Sequence, residues 1–241
     1  MSNLILCEGK TDAILLGYYL AKVAKWTFSK VGPNNLNIKE KNTNENIAWY
    51  NKEGHWLMIC AVGGRNNFES FFVQRIKNTI TRINAFSRIA VVVDKDDNEI
   101  EEIENEFKEK FSPFFEFAEN GKWKSNTYLD DYKIENTIES LLLIIPAQKQ
   151  GALETVMLDA ISEDTYDKNI VDKCKEFVNG IRPEATRYIS NDRLQLKANL
   201  STVWAIQTPE KVFHFIDERI KEVDWERYET LRETFNTLEI M

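Results

Sequence analysis

Short apolar runs alternate with helical spacing over the first half of the chain. Leu4-Ile5-Leu6-Cys7 has the pattern of a buried strand and stops at Glu8-Gly9. Thr11 or Asp12 stands where a helix cap belongs, and Ala13 to Leu16 with Tyr19 and Leu20 carry a helix to about Lys25. Residues 27–55 hold seven Asn and the turn signal Gly32-Pro33-Asn34, which predicts a long loop with a short hairpin around Ile47 to Tyr50. Trp56 to Val62 is a second strand-length run, ended by Gly63-Gly64. Phe68, Phe71, Phe72, Ile76, Ile80 and Ile83 then follow the helical period. Ile89 to Val93 is the strongest strand signal; it has no polar face, as in a parallel strand covered on both sides. Asp94-Lys95-Asp96-Asp97 ends it.

The pattern continues with an amphipathic helix through Ile100, Ile103, Phe107 and Phe111, whose acidic outer face reads as solvated. Phe114 to Ala118 and Trp123 to Tyr128 flank Glu119-Asn120-Gly121, which suggests a hairpin. Leu141 to Ile145 is a further strand candidate, ended by Pro146. From about Ala152 everything has helical spacing, with Leu194, Leu200, Val203 and Trp204 on one face and Pro209 at a helix start.

Alternating strands and helices predict an α/β fold with a mostly parallel sheet flanked by helices. Residues 1–150 form the expected α/β core, with an inserted loop around 27–55. Residues 151–241 form a helical C-terminal elaboration packed on it as one compact unit. In such sheets ligands bind beyond the carboxyl ends of the strands. Those ends carry Glu8-Gly9, Gly63-Gly64 and Asp94-Lys95-Asp96.

Composition narrows the function. The 241 residues include 31 Lys and Arg against 39 Asp and Glu, a net charge of −8. A chain so acidic does not hold nucleic acid by bulk charge; it needs a metal ion or a local basic patch. Cys7, Cys60 and Cys174 stand far apart, are odd in number and form no CxxC, so neither a zinc knuckle nor a disulfide framework is indicated. Cys7 and Cys60 read as small buried hydrophobes. Two histidines, His55 and His214, poorly supply a His-rich metal site or a Ser-His-Asp triad. No apolar run reaches membrane-spanning length, and Glu8 interrupts the N-terminal run before a signal-peptide core forms. The expectation is a cytoplasmic protein without a membrane partner.

Asp94 and Asp96 lie two residues apart at a strand end, so a persisting extended backbone projects both to one side. Two hard oxygen ligands suit Mg²⁺ or Mn²⁺. Glu8, ending another strand, enters the same crevice if the strands are neighbours. Carboxylates gathered so closely need a cation among them or a retained proton. Gly9-Lys10-Thr11 matches the end of a phosphate-binding loop, but Leu4 stands where that loop needs its first glycine.

The stretch Leu4 to Asp12 resembles the first motif of TOPRIM domains, a hydrophobic strand followed by Glu-Gly-x-x-Asp. Val91 to Asp96 resembles the TOPRIM Asp-x-Asp motif, and Ala61-Val62-Gly63-Gly64 the glycine-ended strand between them. The resemblance covers about residues 3 to 97. The chain looks like a small stand-alone TOPRIM protein of the OLD (overcoming lysogenisation defect) nuclease type, without an ATPase. It departs from that pattern in Lys95 inside the Asp pair and Cys7 before Glu8.

The resemblance implies Mg²⁺- or Mn²⁺-dependent phosphodiester hydrolysis, with DNA favoured over RNA as substrate. Glu8 is implied as general acid or base, or as a metal ligand, and Asp94 and Asp96 as metal ligands. Glu154, opening a helix, is similar to a later acidic ligand of that family; a carboxylate favoured by the helix dipole explains it equally well. Lys197 is the best match for a later basic residue that offsets phosphoryl charge, and an exposed helical lysine is the alternative. Arg65 follows Gly63-Gly64 and is a second candidate for that task. Arg182, Arg187, Arg193 and Lys197 form a local basic excess that either lines a nucleic-acid path or balances an acidic chain. Two rival readings remain: a metal-binding regulatory module acting with a protein partner, and a hydrolase of small phosphates.

Overall fold

The computed structural model describes residues 2–211 and 214–241. It divides into two compact units. The first comprises residues 1–93, 99–144 and 237–241, and the second residues 94–98 and 145–236. The expected boundary at residue 150 thus falls five residues inside a stretch that begins at Ile145, and the short segment after Val93 belongs with the later helices.

The first unit is built on a seven-stranded sheet: β1 (Ser2–Cys7), β2 (Thr27–Ser29), β3 (Asn46–Lys52), β4 (His55–Ala61), β5 (Phe86–Asp94), β6 (Lys124–Leu129) and β7 (Glu135–Ile145). Spatial order is β2-β3-β4-β1-β5-β7-β6. β1 pairs in parallel with β4 and β5, with Cys7 opposite Ala61 on one side and Val92 on the other. β2 with β3, β3 with β4 and β6 with β7 are antiparallel. The sheet is therefore mixed, not mostly parallel. β1 is flanked in parallel by β4 and β5, where apolar residues are buried on both faces, and the antiparallel pairs β2-β3-β4 and β7-β6 lie toward the two edges.

The segment around 27–55 is accordingly not only an insertion. Its hairpin, expected near Ile47 to Tyr50, is β3 joined to β4 through Glu53-Gly54, with Trp49 opposite Met58. The second hairpin falls elsewhere than expected. β6 pairs with the first half of β7, and residues 114–118 form no strand. β7 starts at Glu135, earlier than its apolar run, because alternation in Glu135 to Ser140 exposes one face.

Helices α1 (Lys10–Val23), α2 (Phe68–Phe71), α3 (Lys77–Ile83) and α4 (Ile100–Phe111) complete this unit. Asp12 accepts a hydrogen bond from the Gly9 N–H at the start of α1. Gly17 lets α1 approach β3 closely: a Cβ there would meet the Tyr50 hydroxyl at 2.0 Å. Burial of that phenol pushes its pKa up to about 12. Phe68 and Phe72 pack edge-on against Phe107 and Phe111 of α4, with ring centroids 5.2 and 5.3 Å apart. Cys7 and Cys60 are fully buried, as their apolar surroundings predict.

The second unit is helical: α5 (Leu153–Ile161), α6 (Thr165–Ile181), α7 (Asp192–Gln207), α8 (Ile216–Glu222) and α9 (Glu229–Phe235). α5 is apolar on nearly every side and packs against α6, α7 and α9. Asp164 caps α6 by accepting from the N–H groups of Tyr166 and Asp167. Asn191 caps α7 by accepting from Leu194 N–H at 2.9 Å. Pro209 starts a single turn, Pro209–Lys211, instead of a longer helix. Among the described residues, no helix is long and apolar enough to cross a membrane.

Candidate functional site

In the first unit, Glu8 follows β1 directly and is 3% exposed. Its carbonyl accepts from the N–H groups of Gly63 and Gly64 at 3.0 and 2.9 Å. Both glycines have positive φ, +83° and +119°, which explains why glycine ends β4. Arg65, expected as a candidate for offsetting phosphate charge, donates instead to Glu106, which Lys110 also contacts. Burial raises the Glu106 pKa, but hydrogen bonds from Arg65 and Lys110 outweigh it and hold the carboxyl below its ordinary range.

The Asp-x-Asp segment belongs to the second unit, and there the structure brings together three of the chain's charged groups. Arg193 donates from Nη2 to Asp94 Oδ2 at 2.8 Å and from Nη1 to Asp96 Oδ2 at 3.4 Å. Asp94 Oδ1 accepts the N–H of Leu153, the first residue of α5, at 2.9 Å. An acceptor with full negative charge suits that position, because the first turn of a helix leaves its N–H groups without helical partners. Asp94 is 3% exposed at its side chain, Asp96 29% and Arg193 40%.

The route that brings the aspartates together differs from strand alternation. Asp96 has φ +51°, in the left-handed region, so the extended backbone does not continue past Asp94. Lys95 N–H bonds to Ile145 O at 2.7 Å, and Asp96 exchanges two backbone hydrogen bonds with Gly151, at 2.6 and 2.9 Å. This bridge turns the chain and presents Asp96 to the guanidinium that also holds Asp94. Gly151 itself has φ +136°, and a Cβ there would lie 2.2 Å from the Thr155 hydroxyl. The bridge thus requires glycine at that position. Lys95 is buried, at 8% exposure, instead of extending into solvent.

Asp96 and Arg193 line one side of an open cleft of about 420 Å³, with Asp97, Gly151, Asn191 and Lys197. Arg193 and Lys197 are one turn apart on α7, so both reach the same cleft. The Lys197 ammonium has no hydrogen-bond or ion-pair partner among the described residues, in keeping with a cation available to a ligand. Glu154 sits in the first turn of α5, next to Leu153, and is 8% exposed. It does not line the cleft. Arg182 is held by Asp192 at 2.7 Å and Arg187 lies over the ring of Tyr188, so neither extends the cleft's positive charge.

Among the described residues, no three His, Cys, Asp or Glu side chains gather as a metal cluster. The donor chemistry of Asp94 and Asp96 still fits Mg²⁺ or Mn²⁺, which take one or two protein carboxylates and fill the remaining positions with water or phosphate oxygens. Arg193 is the residue whose part the sequence did not reveal. It stands among the basic residues of the back half, yet its partners lie 99 and 97 positions away, and no local pattern announces such a pairing.

An α/β unit whose central parallel strands end in Glu-Gly and Gly-Gly, and a helical unit holding an Asp–Arg–Asp group beside a cleft, define the chain's architecture. The chain belongs to the family described as "Protein of unknown function (DUF3226)", whose model matches residues 2–238. Comparison with curated proteins found no match. Among solved structures, it is similar to the hypothetical protein PH0156 from Pyrococcus horikoshii OT3, at 14% identity and a TM-score of 0.48, over 98% of this chain and 99% of that one.

Proposed function

We propose that this protein performs Mg²⁺- or Mn²⁺-dependent phosphodiester hydrolysis, with nucleic acid as substrate and DNA favoured over RNA. The observation that carries the reading is the Asp94–Arg193–Asp96 group, whose Asp96 and Arg193 open onto the cleft that also presents Lys197. On this reading Asp94 and Asp96 would hold the ion. When bound, it would supply the charge that attracts a phosphate and lowers the pKa of water. Leu153 N–H fixes the orientation of the Asp94 carboxylate, so that side chain is positioned before any ligand arrives. Lys197 supplies positive charge in the cleft against a bound phosphate group. Proton transfer by Glu8 rests on the Glu-Gly motif and its TOPRIM resemblance. The finer fold assignment, TOPRIM, rests on the parallel β4-β1-β5 centre together with those strand-end motifs.

A second reading is a metal-binding module that acts with a protein partner. The net charge of −8 favours it, because nucleic acid then has to be presented by something else. The deciding measurement is Mg²⁺- and Mn²⁺-dependent cleavage of supercoiled plasmid, single-stranded DNA and RNA, with a free nucleotide in parallel. Wild type and Asp94→Ala are compared from matched preparations. Cleavage by wild type alone supports the nuclease. Turnover of only the free nucleotide replaces it with a small-phosphate hydrolase. Equal cleavage by both proteins, or by neither, overturns the proposed activity.

A further inference from the structure

Asp94 and Asp96 already have a cation. Each gives an Oδ2 atom to the guanidinium of Arg193, at 2.8 and 3.4 Å, and the remaining Asp94 oxygen accepts the Leu153 N–H. With Asp94 Oδ1 engaged by Leu153, a divalent ion that takes Asp94 as a ligand competes with Arg193 for Oδ2. Arginine stays charged at every physiological pH and only donates, so it cannot become a ligand of that ion. Two cations on the same oxygens repel one another, and the more mobile one leaves. That is Arg193, whose long side chain is 40% exposed while Asp94 is 3% exposed.

We propose that Arg193 is a displaceable internal counter-ion that competes with the divalent metal for Asp94 and Asp96; this rests on the metal-dependent reading given above. Without metal, Arg193 offsets one of the two negative charges of the pair. When the pair takes a metal ion, the guanidinium is released into the cleft it already lines with Lys197. Two cations one helical turn apart then face the same space, where a phosphate has two groups to meet. Metal loading and phosphate capture are coupled through one side chain.

The test is calorimetric titration of the full chain with MnCl₂ and MgCl₂, comparing wild type, Arg193→Gln and Arg193→Lys. Glutamine keeps an amide donor and removes the charge. Lysine keeps the competing charge. Arg193→Gln is expected to bind Mn²⁺ at least about tenfold more tightly than wild type, since a unit charge at contact distance is worth that much even when well screened. Arg193→Lys is expected to stay within about threefold of wild type on the same electrostatic ground. If wild type binds metal and Arg193→Gln binds it equally or more weakly, the counter-ion proposal falls and the metal reading stands. If Arg193→Gln alone binds, the proposal stands and unaided metal use by wild type falls. If neither binds, both fall.

Should Arg193→Gln fail to fold, wild type alone gives the answer by NMR. The Arg193 Nε–H resonance, identified by its loss in Arg193→Lys, is followed during MgCl₂ titration. A shift with faster exchange into water supports displacement. An unmoved resonance at a metal concentration that saturates the calorimetric signal, or the absence of any such signal, overturns it.

Discussion

Asp94→Ala is the substitution on which the structure makes its sharpest demand. Two carboxylates two residues apart repel, and if they were uncompensated, deleting one would stabilise the metal-free protein. Here the opposite is expected, because Arg193 bridges the pair and Leu153 N–H depends on Asp94. Leu153 is 1% exposed, so its N–H loses its acceptor without gaining water. A lost hydrogen bond to a charged group costs about 1.5–3 kcal/mol. Arg193 is partly solvated and recovers much of its interaction from water, which limits that part to roughly 1 kcal/mol. The sum is a destabilisation of about 2.5–4 kcal/mol. Asp94→Asn keeps a carbonyl oxygen for Leu153 N–H and is expected to cost less, about 1–2 kcal/mol.

Urea unfolding at neutral pH measures this, followed both by circular dichroism and by fluorescence of the six tryptophans. Coincidence of the two probes matters, because two compact units can unfold separately. Combining Asp94→Ala with Arg193→Gln isolates the pair: the Asp94 loss is expected to shrink by about 1 kcal/mol in the Arg193→Gln background. A loss below about 0.5 kcal/mol, within the range of an ordinary surface substitution, would refute the reasoning. So would strict additivity of the two substitutions.

Three further predictions test other parts of the molecule. Gly151→Ala places a Cβ 2.2 Å from Thr155 Oγ1 on a backbone with φ +136°, and a loss of about 2 kcal/mol or more in the same urea assay is expected; an unchanged midpoint would show that the Asp96–Gly151 bridge tolerates side chains. Glu106 is held below its ordinary pKa of 4.5 by Arg65 and Lys110, so its contribution to stability is present above that value and disappears as pH falls through the lower folded value. The stability gap between wild type and Glu106→Gln should therefore be open at pH 7 and narrow progressively as pH falls below 4.5, and a gap that widens on acidification would contradict the assignment. Glu8→Gln is expected to abolish metal-dependent turnover while leaving the melting temperature nearly unchanged, and full activity in the purified variant removes Glu8 from the chemistry.

The central strands were the most legible part of the sequence. Leu4 to Cys7 and Ile89 to Val93 are apolar without a polar face, and a strand buried on both sides has no other way to be written. The ends were legible for a related reason: a strand that must stop in the interior stops at Glu-Gly, Gly-Gly or Asp. Hairpins were harder to place. β6 alternates and is half exposed, so Lys124 to Leu129 carries a weak signal, and its partner begins in the polar residues from Glu135. Edge pairing of this kind depends on a neighbour's backbone more than on the strand's own side chains.

The candidate site divides along the same line. Asp94 and Asp96 stand out because two carboxylates follow an apolar run, whereas Lys197 was singled out only through the family resemblance. Their arrangement was not legible. Alternation predicts a common side through an extended backbone, whereas the structure turns at Asp96 and reunites the pair on Arg193. Arg65 shows the reverse case: its place after Gly63-Gly64 suggested an open cation, and Glu106, 41 residues away, holds it.

The buried central strands, their ends and the acidic residues at those ends follow from the order of residues, because burial and backbone conformation act over neighbouring positions. The mixed sheet order, the Asp96–Gly151 bridge and the bonding of Arg193 to both aspartates arise on folding. Those rest on contacts between residues up to 99 positions apart, and an ion pair at that separation leaves no period, spacing or composition for a linear reading to detect.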